Sequence, residues 1–137
     1  MESEIKILIA DDIASMRGIL KKELRAYGYE NVTEASNGED ALQKFQLQKC
    51  HMAMLDINMP IKNGIDLLKD IRAIDPKVFV VMVSADSSAE NIKTTLALGV
   101  NGFVVKPYST SKIGGIIQKF NKHLLDLGLT PAQPPKD

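Results

Sequence analysis

Short apolar runs that stop abruptly at a charged or hydroxyl residue recur along this chain, and they constrain its fold more than any other feature. The central one is Met52 to Leu55, almost wholly apolar, which ends at Asp56 and is followed by Pro60. Such a run has the pattern of a strand buried on both faces of a parallel sheet. Proline has no amide hydrogen to give to a ladder, so the strand is over by Pro60 and Asp56 stands at its carboxyl end. A carboxylate in that position is costly to bury unless it is used. Asp56 is therefore the candidate reactive residue.

The same pattern opens the chain, where Ile5 to Ala10 runs into Asp11-Asp12. Met16, Ile19, Leu20, Leu24 and Tyr27 then recur at helical spacing up to Gly28, with Arg17, Lys21, Lys22 and Arg25 as the wet face. Asn31 to Ala35 reads as a second strand, and Ser36-Asn37-Gly38-Glu39 as a turn into a capped helix carrying Ala41, Leu42 and Phe45 inward. After the Asp56 loop, Asn63-Gly64 opens a helix with Ile65, Leu68, Ile71 and Ile74 facing the core, closed by Asp75-Pro76. Val78 to Val83 is the most apolar strand and gives way to Ser84, with Ser87 and Glu90 as a capping box for a helix carrying Ile92 and Leu96. Gly102 to Val105 is a short last strand ended by Lys106-Pro107, and Ile113, Ile116, Ile117, Phe120, Leu124 and Leu127 mark the final helix. Residues 1–128 are expected to form one domain, and residues 129–137, with three prolines and little to bury, a disordered tail.

Five strands alternating with five helices predict a parallel sheet covered by helices on both faces, because right-handed crossovers leave few other connections. The expected fold class is α/β, a doubly wound five-stranded sheet in the flavodoxin-like order 2-1-3-4-5. Ligands in such sheets bind beyond the carboxyl ends of the strands, where the strand order reverses. Asp11, Asp12, Asp56, Ser84 and Lys106 are those ends, so four strands deliver polar groups to one edge.

Composition removes other classes of function. Seventeen basic residues balance seventeen acidic ones among 137, which gives no electrostatic footprint for nucleic acid or an anionic membrane. No apolar stretch approaches the ~18 residues that cross a bilayer. A single cysteine, Cys50, allows no internal disulfide, and no export signal opens the chain, so a reducing cytoplasmic location is expected. Cys50, His51, His123 and the methionines near Asp56 read as packing residues, and Asp86 and Ser87 as helix caps.

Three crowded carboxylates cannot all stay ionised without a cation, and oxygen-only ligation that leaves room for water and phosphate suits Mg²⁺. A carboxylate can also attack phosphorus to form an acyl phosphate, in a transfer governed by positioning and by neutralising the equatorial oxygens. Lys106 and the metal supply that charge, and Ser84 offers a hydroxyl.

Asp11-Asp12, Asp56 within Asp-Ile-Asn-Met-Pro, Ser84 and Lys106-Pro107, in that order and at those intervals, resemble the stand-alone, CheY-like receiver domain of bacterial response regulators. The resemblance spans Ile5 to about Leu127. It implies a single-domain response regulator of a two-component phosphorelay, phosphorylated on Asp56 from the phosphohistidine of a sensor histidine kinase. Asp11, Asp12, Asp56 and the main-chain carbonyl of Asn58 would surround Mg²⁺, and Lys106 would hold the phosphoryl group. Ser84 and Phe103 would be the switch pair, and the Lys106-Pro107 bond would be cis. Asn58 and Asp86 resemble positions that adjust phosphoryl lifetime. Implied partners are the kinase or a histidine phosphotransfer protein, and a downstream target such as a flagellar motor switch component. Ser84 replaces a frequent threonine and Phe103 a frequent tyrosine, so any outward state of Phe103 presents only an apolar edge. The rival reading is a phosphohydrolase of the haloacid dehalogenase type with an aspartate nucleophile, but its Asp-x-Asp pair is missing because Asn58 follows Asp56 by two, and there is no cap domain. A flavodoxin-like nucleotide binder lacks its glycine-rich loop after the first strand.

Overall fold

The computed structural model describes residues 4–136. Strands and helices alternate as β1 (Ile7–Ala10), α1 (Ala14–Ala26), β2 (Val32–Ala35), α2 (Gly38–Leu47), β3 (Met52–Leu55), α3 (Gly64–Ile74), β4 (Phe79–Ser84), α4 (Ala89–Ala97), β5 (Gly102–Val105) and α5 (Thr110–Asp126). The strands form one parallel sheet in the order β2-β1-β3-β4-β5, the doubly wound arrangement the alternation predicts. All residues of β1, β3 and β4 are buried, which is why these strands read as unbroken apolar runs and not as alternating ones.

The sheet divides the core in two. On one face Ile7, Ile9, Met52, Met54, Val81 and Val83 pack with Leu20 and Leu24 of α1 and Ile113, Ile117 and Phe120 of α5. On the other Leu8, Ala53, Leu55, Val80 and Met82 pack with Ala41 and Phe45 of α2 and Leu67, Leu68 and Ile71 of α3. Each such aliphatic side chain contributes roughly 1.5–3 kcal/mol by leaving water.

Several expected core positions differ. Ile19 is 46% exposed and Leu96 61% exposed, and on α4 it is Thr95 that is buried. Thr95 Oγ1 donates within its own helix to the Asn91 and Ile92 carbonyls, so its burial leaves no unmet polar group. Leu67 takes the inward place on α3 alongside Leu68, while Ile65 is only half-buried. The N-cap of α4 is Ser88, whose side chain accepts from Asn91 N at 3.2 Å, one residue beyond the expected Ser87. The caps of α2 and α3 are Asn37 and Asn63, as their turn chemistry indicates.

Residues 129–136 have no helix or strand, as their prolines suggest, yet part of the segment expected to be a loose tail lies against the body. Leu129 and Ala132 pack on the α1/α5 side of the core, and Ala132 N donates to Tyr29 Oη at 3.1 Å. Gly28, at φ +94°, makes room for it: a Cβ there would lie 2.1 Å from the Gln133 carbonyl oxygen. An apolar pair at 129 and 132 is enough to seat a short extended segment.

Candidate functional site

Ladder register brings the candidate residues together. Ala10 pairs with Leu55, and the next step of the ladder is Asp56 N donating to the Ala10 carbonyl at 2.9 Å. Asp11 and Asp56 therefore leave adjacent strands side by side. Ser84 pairs with Val105, and Lys106 N donates to the Ser84 carbonyl at 3.0 Å, so the lysine leaves its strand on the same edge.

The side chains then close on one another. Carboxylate oxygens of Asp11, Asp12 and Asp56 all lie within 4.8 Å. Asp11 and Asp56 are buried, at 2% and 7% exposure, while Asp12 is open to solvent. Lys106 Nζ bridges the two buried ones, 2.6 Å from Asp11 Oδ2 and 2.9 Å from Asp56 Oδ2. Burial alone would lower the Lys106 ammonium, but hydrogen bonds to Asp11 and Asp56, reinforced by their charges, outweigh it and hold the group above its ordinary value. Lys106 is thus one cation among the crowded carboxylates, and its ammonium offsets part of their repulsion.

The second oxygens are engaged by main-chain amides. Asp11 Oδ1 accepts from Ile13 N at 2.9 Å, and Asp56 Oδ1 accepts from Asn58 N at 3.4 Å. The loop after Asp56 is folded back so that Gly64 N donates to the Ile57 carbonyl at 2.8 Å. A Cβ on Gly64 would lie 2.0 Å from the Asp56 carbonyl oxygen, so this close approach requires glycine. Asn58 is exposed beside the pocket. The Lys106-Pro107 peptide is cis, in line with the expectation.

Ser84 is fully buried, and its Oγ accepts from Asp86 N at 3.2 Å. That bond uses a lone pair and leaves the hydroxyl hydrogen free. Phe103 is half-buried on β5, in register with Met82, and packs against the α2/α3 layer. Sequence reasoning overlooked Tyr108, two residues beyond Lys106. Its hydroxyl is buried without a hydrogen-bond partner among the described residues, and burial pushes the phenol up. Only the position after Lys106-Pro107 could have signalled it. Cys50 is buried with its thiol pushed up to about 12, which makes it unreactive and supports the packing reading. Among the described residues no helix is long and apolar enough to cross a membrane.

Comparison with known proteins agrees with this geometry. Residues 7–118 match the response regulator receiver domain family. The chain is 36% identical over 117 residues to the chemotaxis protein CheY of Thermotoga maritima, covering 85% of this chain and 98% of that protein. It is 36% identical over 126 residues to chemotaxis protein CheY-3 of Vibrio cholerae, covering 90% and 97%. A CheY-like receiver domain protein from Methanospirillum hungatei superposes with a TM-score of 0.83 at 27% identity, over 90% of this chain and 99% of that one. CheY in the CheX-CheY-BeF3-Mg complex of Borrelia burgdorferi superposes at 0.75 with 28% identity, over 84% and 87%. With its strand order, its acidic edge and these relatives, the chain belongs to the response regulator receiver domain family, of the CheY-like kind.

Proposed function

We propose that this chain is a phosphoacceptor in a two-component phosphorelay, taking a phosphoryl group on Asp56 from a histidine kinase or histidine phosphotransfer protein and changing a protein-binding surface in response. The observation that carries this reading is the convergence of Asp11, Asp12 and Asp56 within 4.8 Å, with the Lys106 ammonium on the two buried members. An all-oxygen donor set, closed on the Asp11 and Asp56 side and open at Asp12, fits Mg²⁺ better than a softer ion. The three carboxylates and the Asn58 carbonyl would hold it. Bound there, it would supply positive charge for the phosphoryl oxygens.

In the transfer a carboxylate oxygen of Asp56 attacks phosphorus while the P–N bond of the donor phosphohistidine breaks. The imidazole leaves with the electron pair and takes a proton from solvent, and Asp56 becomes an acyl phosphate. Lys106 exchanges its contact with the Asp56 carboxylate for one with a phosphoryl oxygen, so it both receives and senses the group. The free hydroxyl hydrogen of Ser84 is the donor that turns toward the same oxygens, and Phe103 moves inward as space opens beneath it. The surface that answers is α4, β5 and α5. Leu96 at 61% and Val105 at 43% exposure give it an apolar character, whereas Val104 is buried. The recipient is another protein, with a flagellar motor switch component as one candidate, and the protein works in the cytoplasm. The Borrelia relative in complex with CheX supports protein partners for the family. The role is signalling and not substrate turnover.

Incubation with acetyl phosphate and Mg²⁺, followed by intact-mass analysis, tests the reading. One labile phosphoryl group per chain is expected, lost in Asp56→Asn. Sustained hydrolysis of a phosphomonoester such as p-nitrophenyl phosphate, with no phosphorylated chain accumulating, would instead favour the hydrolase.

A further inference from the structure

Arg17 belongs to the face of α1 that periodicity assigns to solvent, yet its guanidinium is folded back over the carboxyl edge of the sheet. Nη1 donates to the main-chain carbonyl of Asp11 at 2.7 Å, and Nε donates to Glu34 Oε1 at 3.0 Å. The side chain is only 17% exposed. Glu34 is held in turn: Lys21 Nζ donates to Oε2 at 3.0 Å, and Lys44 Nζ donates to the Glu34 carbonyl at 2.6 Å. The Lys21 hydrogen bond, with help from Arg17, keeps the Glu34 carboxyl below its usual range, so the acceptor is charged at neutral pH. The fork therefore spans two anchored points, one on β2 and one just past the end of β1.

The second of those points matters for chemistry. The Asp11 carbonyl belongs to the peptide that joins Asp11 to Asp12, so a donor on its oxygen fixes the plane from which both carboxylates enter the pocket. We propose that Arg17 is a positioning residue for the acidic pocket, and that by clamping the Asp11–Asp12 peptide it sets the pocket's affinity for a divalent cation. The proposal rests on the Mg²⁺-dependent reading given above.

Charge alone argues for the opposite effect. A guanidinium near a cation site repels the cation, so its removal would tighten binding. The clamp outweighs this because Glu34, 3.0 Å from Nε, already offsets the Arg17 charge. Loss of groups that orient metal ligands typically weakens binding by roughly 10–100-fold. The two effects differ in sign, which makes them separable.

Titration calorimetry of MgCl2 into the full chain, with circular dichroism confirming that each variant is folded at the working temperature, decides between them. Arg17→Met is expected to bind Mg²⁺ at least about tenfold more weakly than wild type. Arg17→Lys keeps the charge but offers a point donor that cannot reach both acceptors, so it is expected to be weakened in the same direction. Lys22→Met removes an exposed cation from the same helix without touching Asp11 or Glu34, and its affinity should stay at the wild-type value. Unchanged or tighter binding in Arg17→Met, full recovery in Arg17→Lys, or an equal loss in Lys22→Met would each overturn the proposal. If wild type bound no Mg²⁺, or if Asp12→Ala bound it as wild type does, the cation pocket itself would fall, and that failure is visible before any Arg17 variant is compared.

Discussion

Replacing Lys106 with methionine should expose how much of this fold's stability is held in its acidic edge. The side chain of Lys106 is 12% exposed, and those of Asp11 and Asp56 are 3% and 9% exposed. Methionine keeps the length and apolar stem but leaves two buried carboxylates facing one another without a counter-charge. Removing one partner of a buried ion pair typically costs ~3–5 kcal/mol, and the opening at Asp12 argues for the lower end, about 3 kcal/mol. For a domain of this size that corresponds to a fall in Tm on the order of 10 °C in chelator. Two controls fix the cause. Asp56→Asn added to Lys106→Met should recover most of the loss, because one of the two buried charges has gone. Mg²⁺ should raise the Tm of Lys106→Met by more than that of wild type, since the ion then replaces the missing ammonium; at ~100 times Kd binding alone gives about 2.7 kcal/mol. Thermal melts followed by circular dichroism, at fixed ionic strength, measure all of these. A Lys106→Met variant as stable as wild type, or one that Asp56→Asn fails to rescue, would refute the electrostatic reasoning.

Other consequences are equally open to measurement. Ile61 is 80% exposed at φ +73°, a left-handed conformation that a β-branched residue adopts at a cost, so Ile61→Asn should raise stability by about 0.5–1 kcal/mol in a denaturant titration. Arg72 donates to the carbonyls of Val78 at 2.6 Å and Gly99 at 2.7 Å and to Asn101 Oδ1 at 2.9 Å, tying the end of α3 to the α4–β5 turn. Arg72→Ala should cost roughly 2 kcal/mol and speed hydrogen exchange in that turn first, and uniform acceleration across the sheet would contradict it. His51 is held below its ordinary value by burial and by the nearby Lys6 charge, and its Nδ1 accepts from Lys6 N at 2.9 Å, which requires the neutral ring. Since the unfolded chain then binds the proton more readily, stability should be full above the unfolded value of ~6.5 and decline as pH falls below it. In His51→Asn the slope of stability against pH over that window should flatten.

The architecture is readable because four of the five β-strands announce themselves twice, by an apolar run and by the polar residue that ends it, whereas β2, Val-Thr-Glu-Ala, carries no such run. For that reason the sequence alone assigns Asp11, Asp56, Ser84 and Lys106 to one edge: register in a parallel sheet does the rest, as the Asp56 to Ala10 hydrogen bond shows. Periodicity fails where a long side chain bends back. Arg17 reads as solvated on a helical wheel and is instead held by Asp11 and Glu34, a contact set by tertiary distance alone. It also fails on α4, where Leu96 faces outward and Thr95 inward. There the hydroxyl satisfies itself on its own helix, so polarity in the sequence does not report exposure. The segment after Gly128 reads as a tail on composition, but two small apolar contacts and a hydrogen bond to Tyr29 seat it, and Gly28 is the only local sign.

The most direct test of the phosphoacceptor role is to locate the phosphoryl group itself. After reaction with acetyl phosphate, borohydride reduces an aspartyl phosphate to homoserine, which tandem mass spectrometry assigns to a single position. The expected result is conversion at Asp56 alone, in the presence of Mg²⁺, abolished by chelator and absent from Asp56→Asn. Conversion at Asp11 or Asp12, or none in the wild-type protein with Mg²⁺ present, would contradict it.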